Sequence, residues 1–157
     1  MNNIYLAAPF FSDGQNDRVN EVVSLLRANP TVAENGIFIP SEHQQEDLEF
    51  GTFKWQVATY NSDVRQIHKA DAVVAILDYQ YEETQENEPD SGTIFAIGAA
   101  WEAGVPVVLV QYDESKKLNL MLAQSYTAFY NGKAAIQALK TYDFNDLPQH
   151  YTDKEVF

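Results

Sequence analysis

Ala72-Val73-Val74-Ala75-Ile76-Leu77, followed after an acidic loop by Asp90-Ser91-Gly92-Thr93-Ile94-Phe95-Ala96-Ile97-Gly98, is the stretch that decides the fold. The first part is a continuous apolar run, as a strand buried on both faces of a parallel sheet requires. The second part opens an apolar helix directly after an aspartate. That helix is expected to end near Gly104, a suitable glycine for the position just past a helix. Strand, loop and helix in that order are the unit of a parallel α/β sheet.

Working outward, the same alternation covers most of the chain. Ile4-Tyr5-Leu6-Ala7-Ala8 reads as the first strand and Pro9-Phe10-Phe11 as the loop after it. Ser12 with Gln15 three residues later is a capping box, so a helix is expected from about 13 to 28. Val19, Val22, Val23, Leu25 and Leu26 give it an apolar face. Ile37-Phe38-Ile39 before Pro40 reads as a short second strand, and 41–51 as a polar loop. From Thr52 to Ala70 the pattern is helical, with Phe53, Val57, Tyr60, Val64 and Ile67 as the apolar-face candidates. Val105 to Val110 is the next strand. Leu118–Ala123 is expected as a short helix, Ala128-Phe129-Tyr130 as a last strand and Ala134–Leu139 as a helix; the tail from Tyr142 has no clear period. The sum is an open doubly wound parallel sheet of five strands, flavodoxin-like, in one domain over 1–157. Ligands of such sheets bind outside the carboxyl ends of the strands, where strand order reverses.

Composition narrows the function. The 157 residues carry 23 acidic against 10 basic side chains, a net charge of −13. A nucleic-acid backbone needs clustered cations, so it is not the expected partner; a small neutral ligand remains open. With no cysteine, disulfides and thiolate chemistry are out. No apolar run approaches the ~20 residues of a membrane span, and a cytoplasmic protein is expected. G-x-G-x-x-G, P-loop and G-x-S-x-G motifs are absent. His43, His68 and His150 lack metal-ligand spacing, and no metal or cofactor is expected. The acidic loop around Glu82–Glu88 lacks the register of a calcium loop. It reads as a solvated loop beside the expected cleft, in the place of a lid.

Several polar groups fall at or near strand ends. Tyr5 lies in the first strand, facing either cleft or core, with core favoured. Gln44 follows the second strand, where a surface role is the plain alternative. Asp63 sits beside an apolar helix face, as a solvated edge residue or a buried acid. Asp90 and Asn119 could each be no more than a helix cap. The topology brings several of them to one end of one sheet.

Taken in order, these segments resemble the nucleoside 2-deoxyribosyltransferases. The likeness runs from Ile4-Tyr5-Leu6-Ala7-Ala8-Pro9-Phe10-Phe11 through Glu49-Phe50-Gly51-Thr52-Phe53-Lys54-Trp55 and Thr59-Tyr60-Asn61-Ser62-Asp63. It continues with Asp90-Ser91-Gly92, Leu118-Asn119-Leu120-Met121 and an aromatic C-terminus. The resemblance implies transfer of 2-deoxyribose between purine and pyrimidine bases through a covalent glycosyl-enzyme, as in a retaining glycosidase. It implies that Tyr5 orients the nucleophile, that Gln44 and Asp63 contact the base, and that Asp63 is the first choice of proton donor. Asp90 would hold the sugar or help with the base. Asn119 and Met121 would meet the 5′-hydroxyl end from a neighbouring subunit, and Phe11, Trp55 and Phe157 complete the substrate-binding set. Phe157 lacks the phenolic hydroxyl often found at that end. The implied assembly is a homo-oligomer, commonly a hexamer, acting on 2-deoxyribonucleosides and free nucleobases.

One position departs from that pattern. The family's nucleophilic glutamate lies six residues after the aspartate, just before an Ile-Gly or Leu-Gly pair. Here Ala96 stands there and Ile97-Gly98 follows. Glu102 lies about 120° away round the helix and is no substitute. The chain is expected to bind substrate and to react poorly. It reads either as an engineered form with its nucleophile removed or as a natural paralogue that binds without reacting. The first is favoured because the rest of the constellation persists. A nucleoside 5′-monophosphate N-glycosidase is the nearest other enzyme. The non-enzyme alternative is a nucleoside-binding or receiver-type module, for which Asp78 would be the acceptor but an acidic pair after the first strand is missing.

Overall fold

The computed structural model describes residues 1–79 and 87–157. Its five strands are β1 (Asn2–Ala7), β2 (Val32–Phe38), β3 (Ala72–Ile76), β4 (Val107–Gln111) and β5 (Ala128–Asn131). They form one parallel sheet in the order β2-β1-β3-β4-β5. The helices are α1 (Asp13–Arg27), α2 (Phe53–Lys69), α3 (Ser91–Glu102), α4 (Leu120–Ala123) and α5 (Lys133–Ile136). Strand order reverses between β1 and β3. The crevice outside their carboxyl ends is therefore the place where this architecture receives a ligand.

Side chains alternate across the strands and make two cores. Ile4, Leu6, Val74, Ile76, Val108 and Val110 pack on the α1 side with Val19, Val22, Val23, Leu25 and Leu26. Tyr5, Ala7, Val73, Ala75, Leu77 and Leu109 pack on the other side with Ile67 of α2 and with Ala96, Ile97 and Ala100 of α3. α1 begins at the expected capping box, Ser12 accepting from the Gln15 amide while the Gln15 side chain reaches back. α3 begins at Asp90, whose carboxylate accepts from the Thr93 amide, and Gly104 follows the helix at φ +72°.

Four differences from the sequence reading have local causes. β2 is longer than Ile37–Ile39: it starts at Val32, and its pairing with β1 jumps from Asn2↔Val32 to Ile4↔Ile37. The Glu34-Asn35-Gly36 irregularity breaks the alternation that would have revealed it. α2 also turns a different face inward. Of its apolar stripe only Ile67 is buried, while Phe53 is 78% and Tyr60 55% exposed. Expected helix 134–139 is α5 followed by a tighter 3-10 turn, Gln137–Lys140. The tail is more ordered than its lack of period suggests, bridging Ala128 to His150 and Leu118 to Val156.

Candidate active site

Three elements meet on the α2–α3 side of the sheet. β1 supplies Tyr5, α2 supplies Asp63 and α3 supplies Ala96. Tyr5 and Ala96 are both buried in the same core. The rings of Tyr60 and Phe95 touch across the two helices at 5.9 Å, which brings α2 against α3 at the level of Ala96.

Burial pushes the Asp63 carboxyl up to about 6, against a lowering pull from His43. One of its oxygens, Oδ1, is buried without a hydrogen-bond partner. The Tyr5 phenol is raised by burial and, secondarily, by the charge of Asp63. The Tyr5 ring stacks on Phe38 at 5.5 Å, and Phe38 stacks on His43 at 4.4 Å. An acid with a pKa near neutrality, held in a partly apolar wall, can give up a proton and take one back.

Asp90 stands at the head of α3. Its Oδ2 accepts from the Thr93 amide at 3.0 Å and from the Thr93 hydroxyl at 3.2 Å, so the capping role is real. Its own amide donates to the Asp78 carbonyl at 2.8 Å, which ties the helix start to the end of β3. Glu102 is the exposed last residue of α3, at the far end of the helix from Asp90. Asp78 itself is ion-paired with Arg18.

The remaining expected residues form two further groups. Gln44 donates to the Pro40 carbonyl at 2.7 Å, and Trp55 donates to the Gln44 carbonyl at 2.6 Å, with its ring 4.5 Å from that of Phe50. Gln45, at φ 55°, makes the turn that follows. Asn119 caps α4 by accepting from the Met121 amide at 2.9 Å. Phe157 is held nearby, its amide donating to Leu118 at 3.2 Å. Asn119 and Met121 line an apolar cleft of about 600 Å³ between α3 and α4, with Ile94, Ile97 and Trp101 on its other wall. Phe11 is exposed and touches Phe10. The acidic-loop reading at 82–88 lies mostly outside the described residues. Among the described residues no cluster is placed to hold a metal ion, and no helix is long and apolar enough to cross a membrane.

Two further residues beside Asp63, His43 and Thr59, carry no signal in the sequence that sets them apart. His43 falls in the polar loop directly before Gln44. Thr59 lies one turn before Asp63, and its Oγ1 is likewise buried without a partner.

Comparison with known proteins bears on the fold and the family. The family model described as nucleoside 2-deoxyribosyltransferase matches residues 4–145. A nucleoside deoxyribosyltransferase of Limosilactobacillus fermentum is 31% identical, covering 98% of this chain and 94% of its own. A solved 2-deoxyribosyltransferase from Bacillus psychrosaccharolyticus is 30% identical with a TM-score of 0.80, covering 96% of this chain and 98% of that one. A CMP N-glycosidase of Clostridium botulinum shares the fold at 16% identity, a TM-score of 0.54, and 88% and 94% coverage of the two chains. The family match over most of the length and the 31% identity across nearly the whole chain settle it: this chain belongs to the nucleoside 2-deoxyribosyltransferase family.

Proposed function

We propose that this chain is a deoxyribosyltransferase site arrested at binding, because the nucleophile of a retaining double displacement is replaced by Ala96. The observation that carries the reading is the position of Ala96. It is 5% exposed, in the first turns of α3, and shares a core with Tyr5. A glutamate there would lie in the second turn of α3, on the face that packs towards Tyr5. Its oxygen would bond to C1′ of the sugar as the glycosidic C–N bond breaks. Asp63 would deliver its proton to the departing base. In the second half a ring nitrogen of the incoming base would bond to C1′, the carboxylate would leave, and Asp63 would regain a proton. Alanine offers no oxygen for the first bond.

In the same reading Gln44 and Trp55 flank the base, Asp90 the sugar, and Asn119, Met121 and Phe157 the 5′-hydroxyl end, where a neighbouring copy completes the site. The exposed apolar side chains Phe53, Tyr60, Phe95 and Trp101 support a homo-oligomer, since large exposed apolar patches mark interaction surfaces. The unit is a single domain over 1–157, working in nucleoside salvage in the cytoplasm. A 5′-monophosphate N-glycosidase would need cations at the 5′ end, where Asn119 and Met121 stand instead.

The test is chromatography of deoxyinosine plus adenine with this chain and with its Ala96→Glu variant. Deoxyadenosine should form on the order of a thousandfold faster or more with the glutamate. Equal rates would remove the assignment.

A further inference from the structure

Two buried polar atoms on α2 have no partner in the folded chain: Oγ1 of Thr59 and Oδ1 of Asp63. They lie four residues apart, so their side chains are neighbours on one helix face, with Cβ atoms about 5–6 Å apart. A helical threonine can return its hydroxyl to the carbonyl one turn back. Thr59 does not, and its hydroxyl is closed to water in the folded chain, so a ligand meets it only by shifting the side chains that cover it. Buried polar groups in native proteins are almost always satisfied, and an unsatisfied one calls for an explanation. A pair of them on adjacent turns, one belonging to the proposed proton donor itself, is explained by a ligand that presents two polar atoms side by side.

A purine presents such a pair on one edge, ring nitrogen N7 next to the exocyclic group on C6. We propose that Thr59 is a specificity-determining contact for the base, its hydroxyl meeting the 6-substituent of a purine while Asp63 meets N7. The assignment rests on the reading of this site as a nucleoside site. A hydroxyl both donates and accepts. It therefore accepts from the 6-amino group of adenine and donates to the 6-oxo group of hypoxanthine, so Thr59 favours 6-substituted purines without choosing between these two. An ionised carboxylate at that position, which only accepts, would have favoured the 6-amino group.

The experiment is calorimetric binding of three ligands to the protein as it stands: 2′-deoxyadenosine, 2′-deoxyinosine and the deoxyriboside of purine with no 6-substituent. Thr59→Val removes the hydroxyl and keeps the shape; Thr59→Ser keeps the hydroxyl. Thr59→Val should weaken the first two by about tenfold, the scale of one lost hydrogen bond, and leave the third unchanged. Thr59→Ser should stay within about twofold for all three. Without ligand, Thr59→Val should melt no lower than the parent, because no internal hydrogen bond is lost. Equal weakening of all three ligands, no weakening of any, or a clear fall in melting temperature would each overturn the role of Thr59 while leaving the nucleoside site standing. If none of the three binds the unaltered protein, the nucleoside reading itself falls, and this one with it.

Discussion

The α1 side of the sheet and the α2–α3 side are made by the same alternating strands, yet they treat buried polar groups in opposite ways. On the α1 side, Asn29 is buried and fully engaged. Its Nδ2 donates to the Leu139 and Tyr142 carbonyls at 2.7 Å each, and its Oδ1 accepts from the amide and hydroxyl of Thr31. On the α2–α3 side lie Thr59 Oγ1, Asp63 Oδ1 and Gln111 Oε1, each buried without a partner. Gln111 follows Leu109 by two residues on β4 and so points to that same side. One face has closed every hydrogen bond of its buried Asn29; the other keeps three buried oxygens without a partner, two of them on adjacent turns of α2.

The comparison breaks most visibly at Ala96. Ala96→Glu is expected to raise transfer by orders of magnitude, read by product chromatography, and to lower the melting temperature, because position 96 is 5% exposed in an apolar core. Asn29→Ala should change stability alone. It leaves two buried carbonyls and the Thr31 donors unpaired, at a cost of about 2–4 kcal/mol in urea unfolding. Nucleoside binding to the surviving folded protein should be unaltered; a loss of binding would mean that the two faces are coupled. Phe95→Lys tests the outer surface of α3. It should lower the mass seen in sedimentation, while folding stability stays within about 0.5 kcal/mol per protomer as for other surface changes.

The finest distinction is in pH. Asp63 titrates near 6 in the folded chain, against about 3.9 for an unfolded aspartate. Between those values the folded state keeps a proton that the unfolded state has lost. Its contribution to stability therefore falls as pH rises from about 4 to 6 and is level above that. Asp63→Asn should melt above its parent at pH 7, and the gap should close as pH drops towards 4. A pH-independent gap would show that the carboxyl is not held in a burying environment. In the Ala96→Glu background the same group should make transfer decline above pH 6 as the acid loses its proton.

Much of this is legible in the sequence. Continuous apolar runs such as Ala72–Leu77 marked the central strands, because burial on both faces leaves no other composition open. Ser12 with Gln15, and Gly104, marked helix ends because capping chemistry is local. The inward face of α2 was not legible. Its periodicity shows an apolar stripe, but periodicity alone does not say whether the stripe meets the sheet or faces outward. Phe53 and Tyr60 face outward, and the polar positions Thr59 and Asp63 carry the buried oxygens. His43 was missed for a related reason: only tertiary packing stacks it on Phe38, and Phe38 on Tyr5.

The Gln15 side chain does more than cap α1. Its Oε1 accepts from the amides of Phe11 at 2.6 Å and Ser12 at 3.1 Å, and its Nε2 donates to the Tyr79 carbonyl. One carboxamide thus rivets the loop after β1 to the chain leaving β3, across the rim where strand order reverses. In hydrogen–deuterium exchange, Phe11 should look like an interior residue although its ring is 65% exposed. Its amide would open only when that rivet lets go, so the exchange time of a single surface phenylalanine clocks the opening of the cleft mouth.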